Sequence, residues 1–182
     1  MFNKEYQFKG KHAEIVALLT SELDTKTKFK LFERNIDAFI LAPIVGFMYG
    51  RRSQVDNSGQ VKLDSIKKIN FQQLNNESDT LNFYYRLVML LHDKDKIDIE
   101  ERLNRAFKYD SKSEEGKNCF DIFDSYILGG IDVMKEKLLD NATTPDDYIN
   151  NLYKFIEEYN TRYNDKISEE EILELCKKAG DN

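Results

Sequence analysis

The feature that most constrains this chain is a run of thirteen residues without a charge, Ala38 to Gly50, which is apolar on every side. A helix needs about 20 residues to span a membrane, so this run is too short for that purpose. A helix that is apolar all round is usually buried at the centre of a bundle. The sequence therefore predicts a central buried helix, kinked or split at Pro43, because proline lacks an amide proton.

Several other segments repeat apolar residues every three to four positions, which is the spacing of one helix face. The chain has two prolines and eight glycines in 182 residues, too few for the frequent turns of an all-β fold. We predict an all-α fold, in which residues 1–182 form a single domain of about six to eight helices around the central helix. The predicted helices cover approximately residues 11–22, 26–49, 79–92, 98–109, 113–139, 145–163 and 168–180, while residues 67–74 fit either a short helix or an extended segment.

Three local signals accompany this prediction. Gly129 and Gly130 interrupt a long helical pattern, and each costs a helix interior roughly 1 kcal/mol, so we expect a close helix approach or a bend there. Thr144 followed by Pro145 is the clearest helix start in the chain. Any β structure is expected to be a minor hairpin near residues 61–74.

The N-terminal residues and the cysteines bear on localisation. Residues 1–10 alternate charged and aromatic side chains and lack the apolar run of an export signal. Cys119 and Cys176 form neither a disulfide framework nor a zinc-binding pattern, which fits a reducing compartment. We therefore expect a cytoplasmic protein that does not enter a membrane.

The net charge of −6 is distributed unevenly along the chain. Residues 1–52 carry a net charge of +3, residues 53–112 are neutral, and residues 113–182 carry −9. The acidic C-terminal third would repel nucleic-acid phosphates, whereas the N-terminal third stays a candidate for binding nucleic acid or another anion.

The sequence carries no specific catalytic or metal-binding pattern, and we expect neither a metal nor a cofactor. Residues 160–171 resemble a calcium-binding loop, but Arg162 and Asp165 replace a ligand and the required glycine, which favours a simple helix–helix turn. His12 and His92 lie on apolar stripes without paired ligand spacing, and no serine occupies a Gly-x-Ser-x-Gly turn. No catalytic residue is assigned, although an enzyme of unrecognised type stays open.

The candidate binding residues flank the central helix. Arg51 and Arg52, beside Tyr49, could bind a phosphate or the carboxylates of a protein partner, because guanidinium groups suit both. Alternatively, the two arginines cap the C-terminus of the helix, where positive charge is favourable. Arg34 and Asp37 lie three residues apart at the other end, on neighbouring helical positions, and are further candidate binding residues.

Two stretches carry a resemblance, FERNIDAFILAPIVGFMYGRR at residues 32–52 and FDIFDSYILGGIDVMKEKL at residues 120–138. They resemble small helical bacterial proteins that are encoded in gene clusters of the anti-phage defence type, as accessory subunits beside larger ATPases or nucleases. The resemblance covers about a third of the chain and implies no catalytic motif. We therefore expect a non-catalytic accessory or adaptor subunit with a protein partner, and nucleic-acid or anion binding is the alternative.

Overall fold

The computed structural model of the chain describes residues 4–56 and 68–163, and it is about 65% helical. The predicted all-α class is confirmed. The described elements are, in order, β1 (Tyr6–Gln7), α1 (Gly10–Leu19), α2 (Asn35–Met48), β2 (Lys68–Ile69), α3 (Phe71–Asn76), α4 (Ser78–Leu91), α5 (Ile99–Phe107), α6 (Glu114–Met134), a π-helical turn (Lys135–Leu139) and α7 (Pro145–Tyr163). The two strands pair antiparallel, with Tyr6 opposite Ile69.

The centre of the fold is the crossing of α2 and α6, where the two backbones touch. A Cβ atom added at Gly46 would lie 2.1 Å from the carbonyl oxygen of Tyr126, and one added at Gly130 would lie 1.9 Å from that of Ala42. Only residues without a side chain fit at such a distance, as in tightly packed small-residue helix pairs. The predicted close approach at Gly130 is therefore confirmed, and the partner is the predicted central helix.

α2 ends in a Schellman motif centred on Gly50. Gly50 adopts a positive φ of 60°, its amide donates to the carbonyl of Phe47 (3.0 Å), and the amide of Arg51 donates to the carbonyl of Gly46 (2.8 Å). Glycine suits this position because a left-handed conformation costs other residues roughly 1–2 kcal/mol. The following residues then run directly over α6, where a Cβ atom on Gly129 would lie 2.1 Å from the Arg51 carbonyl oxygen.

The buried apolar side chains form one cluster around this crossing. α2 contributes Ile36 and Phe39, α6 contributes Phe123 and Ile127, and all four are fully buried. The cluster extends to α1, α4, β2 and α7 through the further buried residues Val16, Leu19, Leu81, Val88, Ile69 and Phe155. One shared core is what the predicted single domain requires.

The predicted start of the central helix, after Asp24 and Thr25, is wrong. Asp24 accepts hydrogen bonds from the backbone amides of Lys26 (3.0 Å) and Thr27 (3.2 Å), and Lys28 has a positive φ of 56°. Asp24 thus closes a local turn, which is the alternative use of such a side chain. α2 begins only at Asn35, and residues 20–34 form an irregular connection.

Pro43 does not split the central helix. α2 is continuous from Asn35 to Met48 with Pro43 inside it. The neighbours Ala42 and Gly46 pack directly on α6 on either side of the proline. This contact holds the helix together where one backbone hydrogen bond is missing.

The other predicted helix starts are confirmed where they fall on described residues. Asp98 accepts a hydrogen bond from the amide of Glu101 (2.9 Å) at the start of α5, and Thr144 precedes α7, whose Asp147 accepts from the Thr144 amide (2.8 Å).

The uncertain stretch at 67–74 contains both β2 and the start of α3. The predicted helix at 113–139 ends in the π-helical turn, and the predicted helix at 168–180 and most of the calcium-like stretch lie outside the described residues.

We predict that Gly130→Ala destabilises the protein by about 3 kcal/mol or more, because the added methyl group would collide with the backbone of α2. Helix propensity alone would give the opposite sign, since alanine is favoured over glycine by roughly 1 kcal/mol in a helix. Urea unfolding measures the difference. Gly50→Ala is the matched control: its Cβ meets nothing within 4 Å, so only the positive φ is penalised, by about 1 kcal/mol. Equal stabilities for Gly130→Ala and the unaltered protein would contradict the close crossing.

Candidate interaction surface

The five predicted binding residues do not form one site. Arg34 and Asp37 lie at the N-terminal end of α2, whereas Tyr49, Arg51 and Arg52 follow its C-terminal end. Fourteen helical residues rise about 1.5 Å each, which separates the two groups by roughly 20 Å. The structure therefore presents two separate clusters.

Arg34 and Asp37 cap the first turn of α2. Asp37 Oδ2 accepts a hydrogen bond from the Arg34 backbone amide (2.9 Å), and Arg34 Nη2 donates to Asp37 Oδ1 (2.6 Å). The carboxylate satisfies an amide and also lies near the positive end of the helix, which favours negative charge. In this structure the pair serves the helix terminus.

Arg51 and Arg52 attach the end of α2 to α6 and the π-helical turn. Arg51 pairs with Glu136. Arg52 Nε donates to Ser125 Oγ (2.8 Å), and its guanidinium lies 5.6 Å from the centre of the Tyr126 ring. Both arginine side chains thus have acceptors within the fold, although both residues stay exposed. The helix end itself is capped by Gly50 and the Arg51 main chain rather than by these side chains.

Tyr49 lies beneath the same segment and contacts α7. Its ring stacks on that of Phe155, with centres 6.2 Å apart and planes 18° apart, and Lys137 Nζ lies 5.5 Å from the ring centre. Lys137 also pairs with Glu158 (2.6 Å). Tyr49 therefore helps to hold α7 against the core.

A buried polar cluster around Asp132 was not predicted from the sequence. Asp132 is 8% exposed and accepts hydrogen bonds from Lys11 Nζ, at 2.9 Å to each oxygen, and from Ser53 Oγ. His12 is fully buried beside it, with Nε2 3.4 Å from Asp132 Oδ1. The only sequence signal was one charge inside the apolar run that ends at Met134.

The electrostatics of this cluster favour an ionised aspartate beside a neutral histidine. Burial works to raise the pKa of Asp132, but hydrogen bonds from Ser53 and Lys11 and the nearby positive charge outweigh it and lower the pKa. Burial lowers the pKa of His12, although the Asp132 charge opposes that shift. Neither ring nitrogen of His12 has a well-aligned hydrogen-bond partner among the described residues.

This arrangement is not a Ser-His-Asp triad. The Ser53 hydroxyl donates directly to the Asp132 carboxylate and not to His12, so the histidine does not stand between the hydroxyl and the carboxylate. The aspartate instead joins α1, the segment after α2 and α6 through one paired charge. A buried charge that is fully paired fixes the relative positions of the elements that supply its partners.

The most unusual surface belongs to α5, which packs with its polar side inward. Arg102 Nη1 donates to the Leu90 carbonyl of α4 (2.8 Å), and the Arg105 carbonyl accepts from the Tyr85 hydroxyl (3.1 Å). The apolar side chains Ile99, Leu103 and Phe107 are 42–59% exposed. Their spacing of four residues aligns them along one face, which we call the α5 stripe.

The α5 stripe continues toward α4. The guanidinium of Arg86 lies 5.3 Å from the centre of the Phe107 ring. Phe83, one turn before Arg86, is 60% exposed. Single exposed apolar side chains are ordinary, whereas an aligned row of them is a candidate binding surface.

α7 carries a second exposed row, formed by Ile149, Tyr153 and Ile156, which are 49–62% exposed. We call this row the α7 stripe. Phe155 lies on the opposite, buried side of the same helix. α7 packs against the π-helical turn, whereas α5 packs mainly against α4, so the two stripes belong to different parts of the fold.

We predict that the free energy of unfolding falls as the pH drops below about 6.5, the ordinary pKa of histidine. Burial lowers the pKa of both His12 and His92, so below that pH the unfolded chain binds protons that the folded protein does not. Urea unfolding at pH 7.5 and 5.5 should show the loss, and His12→Gln and His92→Gln should each reduce it.

The raised pKa of Asp124, which is caused mainly by burial, acts in the opposite sense. The comparison between each variant and the unaltered protein therefore isolates the histidine contribution. A pH dependence that is unchanged in both variants would contradict the two lowered pKa values.

Comparisons with known proteins assign the chain to no family. No family model matches the chain, and no curated protein and no solved structure matches it significantly. Within residues 4–56 and 68–163, no helix is long and apolar enough to cross a membrane. In the same residues, no three His, Cys, Asp or Glu side chains converge as metal ligands would.

Proposed function

We propose that the protein is a non-catalytic adaptor, an accessory subunit that binds other protein surfaces through its α5 and α7 stripes. The observation that carries this proposal is the presence of two aligned apolar rows on helices that pack against different parts of the core. An adaptor needs two such surfaces. Helices commonly meet a partner through apolar residues at positions i, i+3 or i+4, and i+7 or i+8.

The energetics of the two stripes support this assignment. Exposed apolar surface forgoes about 25 cal/mol per Å² that burial would provide. The side of α5 that contacts the protein is polar and makes hydrogen bonds through the Arg102 guanidinium and the Arg105 carbonyl. The apolar side chains of α5 therefore remain exposed and do not contribute this burial energy. A partner that covers Ile99, Leu103 and Phe107 would recover the burial energy.

The polar residues give further support, because they are used within the fold. Lys11 and Ser53 bind Asp132, Arg51 pairs with Glu136, and Arg52 binds Ser125. A nucleic-acid-binding role would require the two arginines to leave these partners, which favours the adaptor role. The sequence resemblance supports placing the partner in a bacterial defence complex, as a larger subunit.

We predict that the double variant Tyr153→Asp, Ile156→Asp loses a partner that the unaltered protein retains. Two carboxylates in an interface core would have to be desolvated without a counter-charge. The measurement is co-purification of the tagged protein from the cells that encode it, followed by quantitative mass spectrometry of stoichiometric partners.

Lys154→Asp is the matched control, because it adds a carboxylate on the exposed, polar side of the same helix. It should leave the partner bound, and both variants should keep the melting temperature within a few degrees. Equal recovery of every protein with the double variant and with the unaltered protein would contradict an interface at the α7 stripe.

A further inference from the structure

We infer that the α5 stripe binds a second copy of this chain, with the two α5 helices antiparallel about a two-fold axis at Leu103. This inference deepens the proposed adaptor function and rests on it, because it assigns one of the two stripes to self-association. The α7 stripe is then left for a different protein.

The spacing of the stripe makes it self-complementary. Ile99 and Phe107 lie four residues before and after Leu103, and all three side chains are exposed. In an antiparallel pair centred on Leu103, Ile99 of one copy faces Phe107 of the other, and this contact occurs twice. A two-fold interface requires that the same patch serve both copies.

The charges beside the stripe favour the antiparallel direction. Asp98 and Glu100 lie at the N-terminal end of α5, and Lys108 lies just beyond its C-terminal end. Residue 108 of one copy is level with residue 98 of the other, and Glu100 is about 3 Å further along the axis. Each acidic end therefore lies beside a basic end, whereas a parallel pair would place like charges together.

The balance of charge also favours a second copy over a partner of one charge sign. Glu100 follows Ile99 in the acidic first turn of α5, and the basic Arg86 lies over the Phe107 ring at the other end of the stripe. A strongly acidic or basic partner would meet repulsion at one end of the helix. A surface that has one acidic and one basic end can place opposite charges beside both ends of the stripe.

The size of the surface sets the strength of the dimer. Stable interfaces bury about 800 Å² per partner, and nine helical residues span only about 14 Å. Phe83 and Arg86 extend the contact beside Phe107. A dimer of this size should dissociate at micromolar concentrations, with Kd on the order of 10–100 µM.

The first experiment measures self-association of the purified full chain by sedimentation velocity from about 5 to 500 µM. The mass should rise from 21.4 kDa toward twice that value. Glu100→Lys and Lys108→Glu should each weaken the dimer about tenfold, because each reversal places two like-charge pairs across the interface. The double reversal should restore the Kd to within about threefold, since opposite charges again meet.

The second experiment places a cysteine on the proposed axis. Leu103→Cys, in a chain that also carries Cys176→Ser, should form a disulfide-linked dimer under mild oxidation, because the two Cβ atoms face each other across the axis. Lys117→Cys in the same background is the control, since this residue is exposed but lies on α6 rather than on α5, and it should cross-link much less.

A monomer at about 500 µM would overturn the inference, whether or not the stripe binds another protein. A dimer that is unaffected by either single charge reversal would also overturn it, because the interface would then lie elsewhere. Self-association is measured with the purified chain alone, whereas the adaptor function is tested through the α7 stripe. A failure of the self-association inference can therefore be distinguished from a failure of the proposed adaptor function.

Discussion

The backbone contact between α2 and α6 is the constraint on which the rest of this structure depends. Gly46 and Gly130 let the two helices approach until main-chain atoms touch. Gly50 then turns the chain, and Gly129 lets the next residues cross α6 at similarly short range. Four glycines in two short segments thus set the path that brings Ser53 to Asp132.

That path of the chain determines which groups surround Asp132. A carboxylate in an apolar region is unfavourable unless it is paired, and its partners here come from α1 and from the segment after α2. An alternative packing of these elements would leave the charge buried and unpaired. The cluster therefore favours this one arrangement over others, which is a structural use of groups that elsewhere serve catalysis.

Sequence reasoning succeeded where the signal was local and failed where it was not. The caps at Asp98 and Thr144 could be predicted, because each depends on residues within one turn. The glycine pair in α6 indicated a close approach or a bend, but its partner, α2, could not be read from the neighbouring residues. Asp24 misled the prediction, because an aspartate closes a turn as readily as it starts a helix. The Asp132 cluster joins residues 11, 12, 53 and 132, and no periodicity links such distant positions. The side of α5 that faces the core could not be predicted from the sequence either, since the apolar face of a helix would ordinarily be assigned to the core.

The π-helical turn at Lys135–Leu139 sets the rotation, about the helix axis, of the residues that follow it. Such a turn accommodates one residue more than an α-helical turn does. If the same residues continued as a regular α-helix, the extra residue would rotate everything that follows by about 100°. The contacts between this turn and α7, including the Lys137–Glu158 pair, would then be lost. The direction in which α7 leaves the core, and with it the direction of the α7 stripe, is therefore encoded in one extra residue of the preceding helix.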